Sequence, residues 1–199
     1  MREVKNMNVG KMVRLGVLGR NYNMTVDLPA PQWLLDLAAV CADSTVDKAE
    51  LRVLECPELP ELARPPWPKA DLDSCIRLAD RLNTLTDWEV TALRAVFVNN
   101  YPDTIEDVVR MTHGLGNMPV VRNVGNDYQL GQFVLDNDLN DDVSKLPSEL
   151  LDCLDLGQLG RLQRKMDDGA FVDGDYVAAG QYEAPVMEES QMEGGMELC

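Results

Sequence analysis

The sequence contains very little of what catalytic and metal sites are built from. Its single histidine is His113. It has five cysteines, no two of which have CxxC spacing: Cys41, Cys56, Cys75, Cys153 and Cys199. Zinc sites and disulfide frameworks need such residues in close or repeated spacing, so neither is predicted. His113 precedes Gly114 at the end of a predicted helix, where an imidazole interacts favourably with the helix dipole, and this structural role is our interpretation.

Signals for membrane insertion, secretion and nucleotide binding are missing as well. No apolar run reaches the roughly 18–20 residues of a membrane-spanning helix, and the first residues lack a signal-peptide core, so we expect a cytoplasmic protein. Gly114-Leu115-Gly116 lacks the rest of a dinucleotide-binding fingerprint. The stretch 136–141 is like a calcium loop without its glycine at position six and its glutamate at position twelve. We therefore expect no cofactor, no metal and no enzymatic activity.

Positive charge is scarce. The chain has 18 lysines and arginines against 34 aspartates and glutamates, a net charge of −16 and an isoelectric point near 4.3. Nucleic acid and anionic membranes repel such a chain, so direct binding to either is not expected and basic partners are favoured. Apolar residues make up 45% of the sequence, which is enough for a buried core.

Periodicity in the first third predicts a small α+β unit. Alternating apolar residues on both sides of the turn signal at 19–21 predict a β-hairpin over residues 11–28. A helix follows Pro31 with Trp33, Leu34, Leu37 and Ala38 on one face, and a strand returns near residues 51–54. Five prolines between 57 and 68 exclude a regular helix or central strand there, and a tryptophan in such a loop, Trp67, more often pins it to the core than docks a partner.

The rest of the chain divides into a helical and an acidic part. Three short helices are predicted between residues 69 and 117, the second starting at a capping box at Thr86 and Glu89 with Val98 on its buried side. A strand is predicted at 118–124, and a closing strand or hairpin at 171–177 with Asp173-Gly174 at the turn. The fold class is therefore α+β, with the following units: an α+β unit with a proline-rich linker at 11–68, a helical unit at 69–117, an acidic unit at 118–182 and a disordered tail at 183–199.

The acidic unit interleaves helical apolar spacing with carboxylates. Leu130, Phe133 and Val134 share one face of a helix capped by Asn126, and a second helix is predicted from Pro147 with Leu150, Leu151 and Leu154 as its apolar face. Between residues 127 and 160 the only basic side chain is Lys145. The candidate partner-binding residues are the carboxylates of this stretch: Asp127, Asp136, Asp138, Asp141, Asp142, Glu149, Asp152 and Asp155.

Several spaced motifs in this stretch carry a family resemblance. They are Leu130-Gly131 followed by Phe133, Leu146-Pro147-Ser148-Glu149-Leu150, Leu154-Asp155-Leu156, Leu159-Gly160-Arg161 and Gly169-Ala170-Phe171. In this order they resemble the C-terminal part of the ArdA antirestriction proteins. The resemblance implies an elongated chain of three small α/β units, a homodimer, and an acidic surface that imitates bent duplex DNA and occupies type I restriction-modification enzymes.

Charge alone provides a mechanism for such an activity. Duplex DNA carries one negative charge per roughly 1.7 Å of its axis, and enzymes line their DNA channels with lysine and arginine to match. Carboxylates three or four residues apart on a helix form rows that fit the same channel. We therefore expect a non-enzymatic DNA mimic from a phage or other mobile element that binds the basic channel of a restriction-modification enzyme.

Two alternatives remain open from the sequence. The same surface would fit the guide and target channel of a CRISPR effector nuclease, which makes an anti-CRISPR protein the first alternative. The second is an acidic protein-interaction module with a basic partner unrelated to DNA, because acidic runs are often only solvated faces.

Overall fold

The computed structural model describes residues 11–20, 23–43, 49–151 and 153–182. Within these ranges the chain forms seven α-helices and two three-stranded antiparallel sheets, which confirms the α+β class. Short 3-10 turns lie at Pro60–Ala63, Leu115–Asn117 and Ala179–Gln181. The tail predicted at 183–199 and the candidate residue Asp152 lie outside the described residues.

The first sheet contains the predicted hairpin. Its strands are β1 (Val13–Leu18), β2 (Asn23–Leu28) and β3 (Glu50–Glu55), in the order β2-β1-β3. In β1 the side chains of Val13, Leu15 and Val17 are fully buried, because alternate residues of a strand point to the same face. Arg14 lies between them on the outer face, where its guanidinium pairs with Asp27 of β2 at 2.7 Å.

Helix α1 (Gln32–Ala42) packs on the inner face of this sheet with only part of the predicted apolar face. Ala38 is buried and Leu34 packs against the core, but Trp33 and Leu37, which were predicted to share their face, are exposed. Nine of the eleven residues of α1 are apolar, so spacing alone does not single out one face. The position of the sheet decides which side is covered.

The proline-rich stretch is ordered against the first sheet. Leu59 and Leu62 are fully buried in the core beside the 3-10 turn. Trp67 is half-exposed, and the guanidinium of Arg52 on β3 lies 4.0 Å from the centre of its ring. A cation over an indole face is attracted by the ring's quadrupole. This contact supports the interpretation that Trp67 pins the loop.

The three predicted middle helices are α2 (Leu72–Leu82), α3 (Asp87–Asn99) and α4 (Ile105–Met111). Their starts are set by side-chain caps, of which the sequence predicted the one at Thr86. The predicted capping box of Thr86 and Glu89 opens α3, and a second box of Thr104 and Asp107 opens α4. Such boxes satisfy backbone N–H groups that have no partner within the helix. The predicted burial of Val98 is wrong, since it is 66% exposed.

The C-terminal part contains a second sheet and three helices: β4 (Val120–Val121), α5 (Asp127–Asp136), α6 (Ser148–Leu151), α7 (Leu156–Met166), β5 (Ala170–Val172) and β6 (Asp175–Val177). The sheet order is β4-β6-β5. Asp173 and Gly174 both have positive φ in the tight turn between β5 and β6, which confirms the predicted hairpin. The strand predicted at 118–124 is only two residues long.

The second acidic helix is much shorter than its leucine pattern predicted. Helix α6 has four residues and none of them is buried, and Leu150 is 51% exposed. Leu150 therefore does not hold this part of the chain in place. A four-residue helix makes too few hydrogen bonds to be stable alone, and the leucines find no partner surface to extend it.

Two hydrophobic clusters form the core. The larger combines buried residues of β1, β2, β3, α2, α3 and α4 with Ala170, Val172 and Val177 of the second sheet. The smaller contains Val124, Leu130, Val134, Leu159, Tyr176 and Ala178. The larger cluster crosses positions 68 and 117, so residues of all three predicted units are buried against one another.

Candidate partner-binding surface

Two glycines bring α5 and α7 into direct backbone contact. A Cβ added at Gly160 would lie 1.8 Å from the carbonyl oxygen of Asp127, and one added at Gly131 would lie 1.9 Å from the carbonyl oxygen of Leu156. Neither position can hold a larger residue unless the helices move apart. The start of α5 meets the middle of α7, and the middle of α5 meets the start of α7. The two helices therefore run antiparallel. Close packing of the two helices therefore explains the glycines of the Leu130-Gly131 and Leu159-Gly160-Arg161 motifs.

Asp127 is neutralised within the protein. Its carboxylate accepts hydrogen bonds from Nε of Arg164 at 2.8 Å and from Nη2 of Arg164 at 3.2 Å, and Arg161 lies 3.7 Å away. The hydrogen bond from Arg164 holds the pKa of the Asp127 carboxyl below its usual value. The sequence placed Asp127 among the outward-facing carboxylates, but the structure places it in an ion pair between α5 and α7.

Arg164 also connects this helix pair to the second sheet. Its guanidinium lies 5.5 Å from the ring centre of Phe171 on β5, and Phe171 packs against Tyr176 of β6. The Tyr176 hydroxyl donates to Asp167 at 2.8 Å, just after the end of α7. Burial raises the pKa of Tyr176 far above its ordinary value, so the hydroxyl keeps its proton and remains a donor. These contacts therefore anchor the C-terminal end of α7 to the second sheet.

The acidic segment, defined as residues 136–155, connects α5 to α7. It contains seven carboxylates and one lysine. Its first turn folds back on α5, since the backbone N–H of Leu139 donates to the carbonyl of Val134 at 3.0 Å. The side chain of Asn140 then accepts from the N–H groups of Asp142 and Val143 at 3.1 and 3.2 Å. This asparagine turn holds the backbone of the central aspartates without a helix.

Six of the eight candidate carboxylates are exposed in this segment: Asp136, Asp138, Asp141, Asp142, Glu149 and Asp155. Asp136 accepts from Gln132 at 2.7 Å, and Asp155 caps α7 by accepting from the N–H of Gln158 at 3.0 Å. Lys145 is 3.7 Å from Asp142, and both side chains are almost fully in solvent, so that pair stabilises little. The carboxylates are free to receive the cationic groups of a partner.

Sequence reasoning missed the residues that position this surface. Gly131 and Gly160 entered the sequence analysis only as parts of the resembling motifs, and Arg164 was not singled out. A glycine that follows a leucine inside each of two helical patterns was the available signal, because glycine disfavours helix interiors unless close packing requires it.

His113 is the remaining residue that the sequence analysis weighed for chemistry. His113 lies just beyond α4, half-buried, and burial followed by the charge of Arg81 lowers its pKa. In the part of the chain that the structure describes, no group of three or more His, Cys, Asp or Glu side chains could hold a metal ion. Over the same residues, no helix has the length and apolar character needed to cross a membrane.

No protein-family model, no curated protein and no solved structure matches this chain. The resemblance to the ArdA family therefore remains a prediction that rests on the motifs themselves.

Replacing Arg164 with glutamine is expected to raise the pKa of Asp127 toward the ordinary carboxyl value of about 3.9. The folded-state pKa of Asp127 is depressed, so the pair stabilises the wild type at pH values above the unfolded carboxyl pKa. That contribution is lost as the pH falls through the depressed value. At neutral pH we expect the variant to be about 1 kcal/mol less stable, since the pair is only partly exposed.

A pH series of unfolding experiments, with NMR titration of the Asp127 carboxyl, measures both effects. Arg161→Gln is the matched control, because it removes the same charge from a side chain that is 63% exposed and 3.7 Å from Asp127. Arg161 also lowers the pKa of Asp127, so a smaller rise is expected in Arg161→Gln. A pKa of Asp127 that is the same in Arg164→Gln as in the wild type would show that Arg164 does not set it.

Proposed function

We propose that this protein is a DNA mimic that inhibits a host DNA-targeting enzyme, a type I restriction-modification enzyme in the first instance. The observation that carries the proposal is the acidic segment, where six exposed carboxylates lie within 20 consecutive residues and the backbone is held by α5, α7 and the Asn140 turn. The motif resemblance supports the choice of target.

The binding mechanism needs no catalytic group. Arginine and lysine side chains in the target's DNA channel would form charge-assisted hydrogen bonds to the carboxylates in place of phosphate oxygens. Small ions bound to both surfaces would be released, as they are when DNA binds. Because the lysines and arginines of the chain are few, and two of the arginines nearest the segment, Arg161 and Arg164, face Asp127, the segment keeps most of its negative charge.

A competition assay tests this proposal. Purified type I restriction-modification complex is incubated with labelled duplex DNA, and the protein is titrated in at several salt concentrations. We expect the protein to displace the DNA. The logarithm of the protein's apparent affinity should fall linearly with the logarithm of the salt concentration. Binding that DNA does not compete would instead support an acidic interaction module with another basic partner.

A second titration distinguishes between the two classes of defence enzyme as the target. A guide-loaded CRISPR effector nuclease is used in the same titration, with DNA cleavage as the readout. Inhibition of this nuclease without inhibition of the restriction enzyme would reassign the target and keep the mimicry. Failure to displace DNA from both enzymes would contradict the proposal.

A further inference from the structure

A cleft of about 230 Å³ lies where the 3-10 turn at Pro60–Ala63, α3 and the turn between β5 and β6 meet. This volume is below the roughly 300–1,000 Å³ of sites for drug-sized molecules, so the cleft suits a small group. Val98 lines the cleft and is 66% exposed, so the cleft opens to solvent beside it. The walls combine three aromatic side chains with three charged ones: Phe97, Tyr101, Phe171, Glu61, Arg94 and Asp173.

The charges in this cleft do not balance. Arg94 donates from Nε and Nη2 to Oε1 of Glu61 at 3.0 and 2.8 Å, and from Nη1 to the carboxylate of Asp173. Among the described residues that line the cleft, Arg94 is the only cation, so one guanidinium serves two carboxylates. The cleft therefore keeps one net negative charge. The side chains of Arg94 and Glu61 are only 17% and 32% exposed, so solvent screens this charge incompletely.

The second carboxylate oxygen of Glu61 is an acceptor without a donor. Its Oε2 atom is buried, and no hydrogen-bond partner for it lies in the part of the chain that the structure describes. Buried acceptors nearly always have a partner, and an unmatched one weakens the fold unless something else offsets its charge. A positive group in the cleft would be attracted to this oxygen and would offset the surplus charge.

The aromatic walls favour a cation over any other class of ligand. The face of an aromatic ring attracts positive charge, and Phe171 already has the guanidinium of Arg164 at 5.5 Å from its ring centre. The Tyr101 hydroxyl donates to the carbonyl of Glu61 at 3.1 Å, and its ring packs edge-on against Phe97, which holds the ring in place. The chain as a whole carries −16, so cations are drawn toward it and anions are repelled.

We propose that this cleft binds a small organic cation, which is a guanidinium or ammonium group on a short apolar stem. The positive group lies near the carboxylates of Glu61 and Asp173, and the stem packs against the aromatic rings. A free amine or guanidine and the side chain of an arginine or lysine share this chemistry. The site uses no carboxylate of the acidic segment, so the proposal does not depend on the mimic function.

Titration of the full chain with butylguanidinium, followed by NMR of the backbone amides, tests the proposal. Butylurea is the matched control ligand, because it has nearly the same shape and no charge. We expect saturable shifts at residues 97–101 and 171–173 with butylguanidinium, and binding of butylurea that is about tenfold weaker or more. Equal binding of the two ligands, or no saturable shift with butylguanidinium, would overturn the proposal.

Asp173→Asn and Asp138→Asn form a matched pair of variants. Both aspartates are exposed, their φ values are 51° and 52°, and both changes remove one negative charge from a backbone conformation that asparagine tolerates. Asp173→Asn leaves Arg94 and Glu61 in balance, so we expect butylguanidinium to bind about fivefold more weakly. Asp138→Asn should leave its affinity unchanged. Equal weakening in the two variants would show that the cleft is not the binding site.

A tripeptide with one arginine, acetyl-Gly-Arg-Gly-amide, identifies the source of the cation. If the peptide binds as tightly as butylguanidinium and shifts the same amides, the ligand is a side chain of a basic protein. If butylguanidinium binds and the peptide does not, the ligand is a free small molecule. Either result supports the cation site, and failure of both titrations leaves the DNA competition experiment unaffected.

Discussion

Replacing Asp138, Asp141 and Asp142 together with asparagine is expected to reduce inhibition of the target enzyme at least about 100-fold. Each lost charge-assisted contact costs roughly 1 kcal/mol or more, and three such losses correspond to about two orders of magnitude in affinity. The three side chains are exposed, so the fold should tolerate the change. Asparagine is the right replacement because Asp138 has a backbone φ of 52°, a left-handed conformation that asparagine adopts readily.

The matched control removes three carboxylates from another part of the surface. Asp80, Asp87 and Asp103 are exposed and lie outside the acidic segment, and changing them to asparagine alters the net charge by the same amount. We expect this variant to inhibit like the wild type. The acidic-segment variant should also show a shallower salt dependence, because fewer ions are released on binding. Equal losses in the two variants would mean that total charge alone matters, which contradicts a defined mimic surface.

Replacing Gly160 with alanine is expected to destabilise the protein by about 3 kcal/mol, because a methyl group would be forced against the backbone of the neighbouring helix. The new carbon would lie 1.8 Å from the carbonyl oxygen of Asp127, so α5 and α7 must separate. Separation also opens the ion pair of Asp127 and Arg164. For a chain of this size the melting temperature should fall by about 6–12 °C, measured by differential scanning calorimetry.

Gly157→Ala in the same helix is the control for this prediction. A Cβ at Gly157 has Oδ1 of Asp155, at 3.3 Å, as its nearest neighbour, so the substitution meets a side chain and no backbone. Alanine is favoured over glycine inside helices by about 1 kcal/mol, which offsets the small shift that the Asp155 side chain must make, so we expect an effect much smaller than that of Gly160→Ala. If Gly160→Ala were as stable as Gly157→Ala, the close crossing of α5 and α7 would not be a requirement of the fold.

Local signals in the sequence were sufficient wherever a short stretch decides its own structure. The hairpin of β1 and β2, the capping box of α3, the Asn126 cap of α5 and the tight turn at Asp173-Gly174 were all predicted and are all confirmed. Each depends on hydrogen bonds or dihedral angles within about four residues of chain. Tertiary contacts in the folded protein reinforce these local structures and do not change them.

Predictions of which apolar residues are buried were less successful. Trp33, Leu37, Val98 and Leu150 have the spacing of buried residues and are exposed. Spacing identifies a candidate face, but burial needs a partner surface, and only the packing of distant elements provides one. The exposure of Leu150 leaves α6 without a buried residue, and the exposure of Trp33, Leu37 and Val40 leaves apolar surface of α1 in solvent.

The sequence by itself determined the α+β class, the starts of most helices and the concentration of carboxylates between residues 127 and 155. Each of these follows from composition or from short-range spacing. Only the tertiary structure decided that Asp127 is paired with Arg164, that Gly131 and Gly160 set the distance between α5 and α7, and that Trp33, Leu37 and Val40 of α1 are exposed. The first two features join residues 25 or more positions apart in the sequence, and the third depends on which elements pack against α1. Local pattern carries no information about such distances.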